Sequence, residues 1–313
     1  MDLLVGSDDF AVLLGLKNST IGRDVPVGQE QERHRRFMEY VGPIQSLLLQ
    51  ASCIIFLQLR MNRFQTEEQQ DVVWSRFCAL YLPATVDRLL QLPIPTDTSN
   101  SLNREEMLAD FAINNPWHEM LVQVQHIPYF AKYLRSSNPI AAAGKRLTQI
   151  LADRLADVCQ RWEKYMTENP RDEEKREYYK AAAGSAIQLL STLGTNFINE
   201  PDRNAIISRA TRGRLLPFLR MWNRRYEGQF LGDVSLRVTI YMSEVRQLDQ
   251  DFNKVRKSHK NWDVCGLASC SIRKDLKVCA TCKTVRYCSV EHQREDWRTG
   301  NCPHKLLCHR TDY

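Results

Sequence analysis

From residue 34 to residue 256, apolar side chains return at every third or fourth position, the spacing that lines one face of an α-helix. The pattern is clearest in 144–167 (GKRLTQILADRLADVCQRWEKYMT), 174–192 (EKREYYKAAAGSAIQLLST) and 235–254 (SLRVTIYMSEVRQLDQDFNK). Small residues such as Ala181, Ala182 and Ala183 let helices approach closely. No run of alternating strands appears. The pattern predicts a mostly α chain with a helical scaffold over 34–252. Residues 1–33 read as an N-terminal extension, with a loop at 17–33. PIPTDTSNSLN at 93–103 reads as a surface loop, and 253–263 as a basic linker to a compositionally distinct segment at 264–309.

An apolar-x-Pro or apolar-Pro opening followed by an apolar helix recurs. It appears as VGPIQSLLLQ at Pro43, YLPATVDRLLQL at Pro83, HIPYFAKYLRSSN at Pro128 and LLPFLRMW at Pro217. The steps are 40, 45 and 89 residues, the last about two units. Units of roughly 40–47 residues are those of armadillo and HEAT solenoids, and proline suits the first turn of a helix because its missing donor is harmless there. The stretches HIPYFAKYLRSSNPIAAAGKRLTQILA and AGSAIQLLSTLGTNFINEPDRNAIISRATRGRLLPFLR also resemble armadillo repeats. Twelve prolines offer many accidental spacings, so an armadillo- or HEAT-like stack and an irregular helical bundle stand level.

The longest uncharged run, 40–59, carries Gly42, Pro43, Gln45, Ser46, Gln50, Ser52 and Gln58. Those polar groups are costly in hydrocarbon, which favours a buried core helix over a membrane span. The opening MDLLVGSDDFAVLLGL places acids where a secretory signal needs basic residues. Hydrophobic residues at 43% and charged residues at 26% are ordinary for a globular chain, and a net charge of +6, evenly spread, does not argue for nucleic acid. Lys254, Arg256, Lys257 and Lys260 fit a solvated linker better than a nuclear import signal.

Ten cysteines change the picture. Cys53, Cys78 and Cys159 sit singly in apolar helical patterns and read as buried core thiols. The other seven fall between 265 and 308, and clustered Cys and His point to metal in a reducing compartment, cytosol or nucleus. Eight candidate ligands come in four pairs: Cys265 and Cys270, Cys279 and Cys282, Cys288 and His292, His304 and Cys308. Close pairs let two ligands reach one ion from a single turn, and sites filled by four protein ligands are structural rather than catalytic. The expected cofactor is two Zn2+. A redox role for Cys279 and Cys282 lacks the βαβ setting it requires.

With Tyr287-Cys288-Ser289, Gln293, Asp296-Trp297 and His304-Lys305-x-x-Cys308, residues 265–308 resemble a MYND-type zinc finger. The resemblance implies interleaved sites: Cys265, Cys270, Cys288 and His292 on one zinc, and Cys279, Cys282, His304 and Cys308 on the other. His292 stands where the family has Cys. Six residues separate Trp297 from His304, more than the family usually has, so Cys302 competes with His304 as a ligand; His304 keeps the family's ending, and His309 is a bystander. Lys283–Tyr287 reads as a short strand and Ser289 as the N-cap of a helix. On that helix Gln293 and Trp297 share a face, and Asp296 is placed to orient the His292 imidazole. The resemblance implies that Gln293 and Trp297 form part of a groove for proline-containing peptides, whereas a residue-level reading allows Trp297 to be simply the small domain's core.

These readings lead to a non-enzymatic adaptor: the scaffold holds one protein, the finger another. Armadillo-like chains ending in a MYND finger resemble fungal ubiquitin-ligase adaptors, and other MYND proteins are transcriptional co-repressors, so both pathways stay open. An alternative is an enzyme, since MYND fingers also occur within SET-type lysine methyltransferases. No glycine-rich cofactor loop, Asn-His pair, Gly-x-Ser-x-Gly or P-loop is present to support one. Direct DNA binding by the finger ranks last: residues 263–313 hold nine Lys/Arg against six Asp/Glu before the zinc–thiolate charge is counted.

Overall fold

The computed structural model describes residues 4–17, 29–41, 47–92, 104–168, 172–196, 206–243, 264–300 and 302–313. The chain runs through α1 (Ser7–Leu13), α2 (Gln29–Val41), α3 (Leu47–Phe64), α4 (Glu67–Gln91), α5 (Arg104–Ile113), α6 (Pro116–Val124) and α7 (Pro128–Arg135). It continues through α8 (Ala142–Thr167), α9 (Glu173–Asn196), α10 (Arg209–Arg225) and α11 (Phe230–Met242). A small unit then follows: β1 (Lys277–Val278), β2 (Arg286–Tyr287), α12 (Val290–Arg298) and α13 (His304–Leu307). The fold is mostly helical, with a C-terminal finger.

Local chemistry starts these helices. Thr66 accepts from the Gln69 amide while the Gln69 side chain accepts from the Thr66 amide, a reciprocal cap for α4. Asn115 accepts from His118 N at 2.8 Å, and Pro116 follows it at the first helical position of α6. Helix α8 is the hub, packing on α4, α5, α7, α9 and α10. Its buried face, Leu147, Leu151, Leu155, Val158, Trp162 and Met166, follows the three-and-four rhythm of the sequence. Helix α11 packs on both α9 and α10.

A buried polar knot ties α5 to α8. Asp110 accepts from Trp162 Nε1 at 2.7 Å and pairs with Arg161. Asp110→Ala is expected to cost about 2–3 kcal/mol, because it leaves an indole N–H buried without an acceptor and removes a half-buried counter-charge. Thermal denaturation of Asp110→Ala beside Asp110→Asn checks this, since Asn can still accept from the indole; equal melting temperatures for all three proteins would sink the assignment.

The proline repeat does not survive in three dimensions. Pro128 opens α7, but Pro83 lies inside α4 and Pro217 inside α10, and Pro43 lies outside the described residues. A mid-helix proline lacks its hydrogen bond and crowds the carbonyl four residues back. For Pro217 that residue is Gly213, exposed and with no heavy atom near where a side chain would start. Helix lengths do not repeat either: α4 and α8 have 25 and 26 residues, α6 and α7 have 9 and 8.

The N-terminal stretch read as an extension is partly core. Phe10 is fully buried, its ring 4.8 Å from that of Trp74, and Asp8 accepts from Tyr81 OH at 2.9 Å. The run Phe10 to Leu14 has enough apolar surface to dock α1 on α3 and α4. Helix α2 already begins at Gln29, inside the segment read as loop; 18–28, the loop at 93–103 and the linker at 253–263 lie outside the described residues. Helix α3 buries Cys53, Ile54, Leu57 and Met61 on one face and leaves Ile55, Phe56 and Leu59 exposed on the other, so it is a half-buried helix rather than a fully buried one. Among the described residues, no helix is long and apolar enough to cross a membrane.

Candidate metal centre

The finger is built from turns that local residue chemistry dictates. Antiparallel pairing sets Lys277 opposite Tyr287 and Val278 opposite Arg286. Just beyond β1, Cys279 N donates to Val285 O at 2.8 Å, and Lys283 N donates back to Cys279 O at 2.9 Å. That tight knuckle needs Lys283 in the left-handed region, at φ 56°. Gly266 permits the chain to cross the hairpin: its amide donates to Arg286 O at 2.7 Å, and a Cβ there would meet Val285 Cγ1 at 2.4 Å. Ser289 caps α12, its hydroxyl accepting from His292 N at 3.2 Å. The cap fixes the first helical turn, which turns the His292 ring toward Cys265 and Cys288.

Eight side chains gather in two groups. Cys265, Cys270, Cys288 and His292 form one, and Cys279, Cys282, His304 and Cys308 the other; within each group the ligand atoms all lie within 4.8 Å of one another. Tetrahedral zinc with bonds of about 2.3 Å to sulfur and about 2.0 Å to nitrogen has edges of about 3.8 Å for S···S and about 3.6 Å for S···N. The Cys270–Cys288 and Cys279–Cys308 separations are 3.8 Å. Cys265 Sγ to His292 Nδ1 and Cys282 Sγ to His304 Nε2 are both 3.6 Å. The Cys288–His292 edge is tighter, at 3.1 Å. The geometry therefore suits two zinc ions, each closed by three thiolates and one imidazole.

The thiols also carry the charge pattern of a cation site. Burial pushes Cys282 up, but hydrogen bonds from His304 and the Thr284 hydroxyl outweigh it and hold the thiol at about 5. Burial likewise opposes ionisation of Cys265, yet backbone donors at Cys288 and Leu267 and the His292 ring bring it to about 7. The neighbours then resist ionising. Desolvation and the adjacent sulfurs raise Cys288 to about 11, and burial with Cys282 and Cys279 beside it raises Cys308 well above the ordinary thiol range. Such crowded thiols ionise together only around a cation. Near pH 7 zinc must displace the protons of Cys288 and Cys308, so apparent affinity falls as pH falls, by about tenfold per pH unit for each proton released. Titration calorimetry in buffers of different ionisation enthalpy is expected to show at least one proton released per zinc; heats independent of buffer would contradict it.

Cys302 joins neither group. Its Sγ donates to Glu68 O on α4 at 3.6 Å, which leaves His304 as the second site's fourth ligand. His309 lies outside both groups, its ring tilted against that of Tyr129 with centroids 6.3 Å apart. The position expected for Asp296 is corrected. It does not reach His292 but accepts from the buried Tyr287 hydroxyl at 2.5 Å, tying α12 to β2. Carboxylate and phenol meet between strand and helix, a contact that spacing along one helix does not show.

Trp297 answers to both of its readings. One side of the ring lies 5.7 Å from the His304 ring, covering the second site, while 38% of the residue stays exposed. Gln293 is half-buried one turn earlier, and Val290, 50% exposed, extends the same strip. Val290 went unread in the sequence, although it stands three residues before Gln293 on the same face.

Two closed, interleaved four-ligand sites on a helical scaffold define a structural zinc module rather than a catalytic metal centre. The module is a MYND finger: residues 263–308 match the model of the MYND finger family. Ubiquitin carboxyl-terminal hydrolase 19 of Arabidopsis thaliana is 40% identical over 55 residues, 17% of this chain and 8% of that protein. The chain thus spans less than a tenth of that relative's length. No solved structure matches.

Proposed function

We propose that this protein is a non-enzymatic adaptor whose finger docks a short, proline-containing segment of a partner protein. The carrying observation is the open strip Val290–Gln293–Trp297 on α12, held rigid by the Ser289 cap, the Tyr287–Asp296 bond and two zinc sites. A fixed aromatic beside an amide suits an extended proline-rich ligand, which loses little entropy on binding. MYND fingers are protein-interaction modules, and the relative that shares a 55-residue stretch with this chain is named a ubiquitin carboxyl-terminal hydrolase. That favours partners in ubiquitin-handling assemblies over transcriptional ones. Co-purification from cells with wild type and Trp297→Ala tests the reading. Partners lost selectively with the indole support it, and their identity separates the two pathways. A methyltransferase would instead gain thermal stability with S-adenosylmethionine, which the adaptor does not.

A further inference from the structure

The finger does not hang free of the scaffold. Helix α7 reads PYFAKYLR, and Tyr129, Lys132 and Tyr133 share one face at helical spacing. Tyr129, 2% exposed, accepts from His309 N at 2.6 Å and offers its proton to Leu307 O at 2.8 Å or His309 O at 3.0 Å. Leu307 and His309 flank the zinc ligand Cys308. Lys132 Nζ donates to the carbonyl of a second ligand, Cys282, at 3.0 Å, and to Thr311 Oγ1 at 2.5 Å. Its ammonium also lies 5.4 Å from the ring centre of Tyr313. That ring meets Tyr133 edge-on at 5.2 Å, and its hydroxyl donates to Cys78 O on α4 at 2.9 Å. Asn138 Nδ2 adds a bond to Asp312 O at 2.6 Å.

One short helix therefore grips both halves of the second site, the Cys279–Cys282 knuckle and the His304–Cys308 arm. Among the described residues, the hydrogen bonds around Cys265, Cys270, Cys288 and His292 stay inside the finger. The asymmetry has a physical cause. Cys308 follows a helix of four residues, too short to hold its own shape. A site of three thiolates, one imidazole and Zn2+ carries a net negative charge, and Lys132 supplies a cation at its edge.

We propose that Tyr129 and Lys132 are positioning residues for the second zinc site, which thereby doubles as a clasp fastening 302–313 onto α7 and α4. Linkage makes the effect reciprocal: what α7 adds to zinc affinity, zinc adds to the docking of the arm. Loss of this zinc opens the arm and uncovers α7, while loss of the other does not.

Zinc release from the full-length, two-zinc protein to excess chelating dye tests this, with Tyr129→Phe and Lys132→Met as variants. Outer-shell partners of metal ligands are worth about ten- to a hundredfold in affinity or lability. One of the two zinc equivalents is expected to leave about tenfold faster in each variant, the other at the wild-type rate. Hydrogen exchange should rise in 302–313 and not in 264–272. In wild type, stripping the metal should raise exchange across 128–135. Wild-type release of both equivalents, equal acceleration of both, or an α7 indifferent to stripping would each overturn the clasp. Should Tyr129→Phe lose its helical circular dichroism, Lys132→Met and the wild-type stripping experiment decide the matter.

Discussion

Cys288→Ser is expected to lose one zinc and unfold the part of the finger built around that site, while the arm clasped to α7 stays docked and the helical scaffold keeps its cooperative melt. Structural zinc supplies an apparent binding free energy on the order of 10–16 kcal/mol to folds of this size, and the finger has little core to replace it. Its buried residues are chiefly Cys265, Leu267, Cys279, Cys282, Tyr287 and His304, four of them ligands. Cys279→Ser should also lose a zinc, but its effect should reach further, because its site is fastened to α7 through Tyr129 and Lys132. Freeing Tyr313 and its neighbours from α7 and α4 is expected to lower the scaffold's melting temperature as well, by about 2–4 °C for each kcal/mol of lost docking. Cys302→Ser serves as the control and should retain both ions, its sulfur facing Glu68 O rather than either site. Zinc content by native mass spectrometry, with melts followed at helical wavelengths, reads all three. Two zincs retained by Cys288→Ser would contradict the ligand set; one lost from Cys302→Ser would reassign His304.

Trp297→Ala should weaken capture of the finger's partner by about thirtyfold or more while leaving both zincs and the scaffold melt in place. A half-exposed aromatic anchor in a preformed groove typically contributes at least about 2 kcal/mol to binding. Its inner edge covers His304, so zinc content must be checked in the same sample. Val290→Ala and Gln293→Ala should weaken capture less, each removing only a flank of the strip. An unchanged partner set with both zincs bound would mean that the indole is the finger's core, and that the scaffold carries the interactions. Partners of ubiquitin transfer or removal would favour that pathway, and chromatin partners the transcriptional one.

Much of the finger was legible because zinc chemistry is local. Donor type and pair spacing depend on a turn of a few residues, so Cys279-x-x-Cys282 and Cys288 with His292 announce themselves in the chain. The Ser289 cap was legible for the same reason. Helical periodicity likewise showed in α8, whose buried face is the apolar face of its sequence. The proline repeat misled because proline reports only on its own turn. Pro83 and Pro217 look like helix openers beside their apolar neighbours, yet α4 and α10 run through both, the packing of long buried faces outweighing one lost hydrogen bond.

The helical character of the scaffold and the eight side chains that gather into two candidate ligand groups were already readable along the chain, since both rest on spacing between near neighbours. Tertiary structure alone decided what crosses the chain. It set Cys302 against Glu68, paired Asp296 with Tyr287, folded Phe10 into the core beside Trp74 and closed α7 over the flanks of Cys308. The Tyr129–Leu307 bond joins residues 178 positions apart. No local period or spacing encodes such a contact, because it arises only when separate helices bury their faces together and their remaining polar groups must find partners where packing has left them.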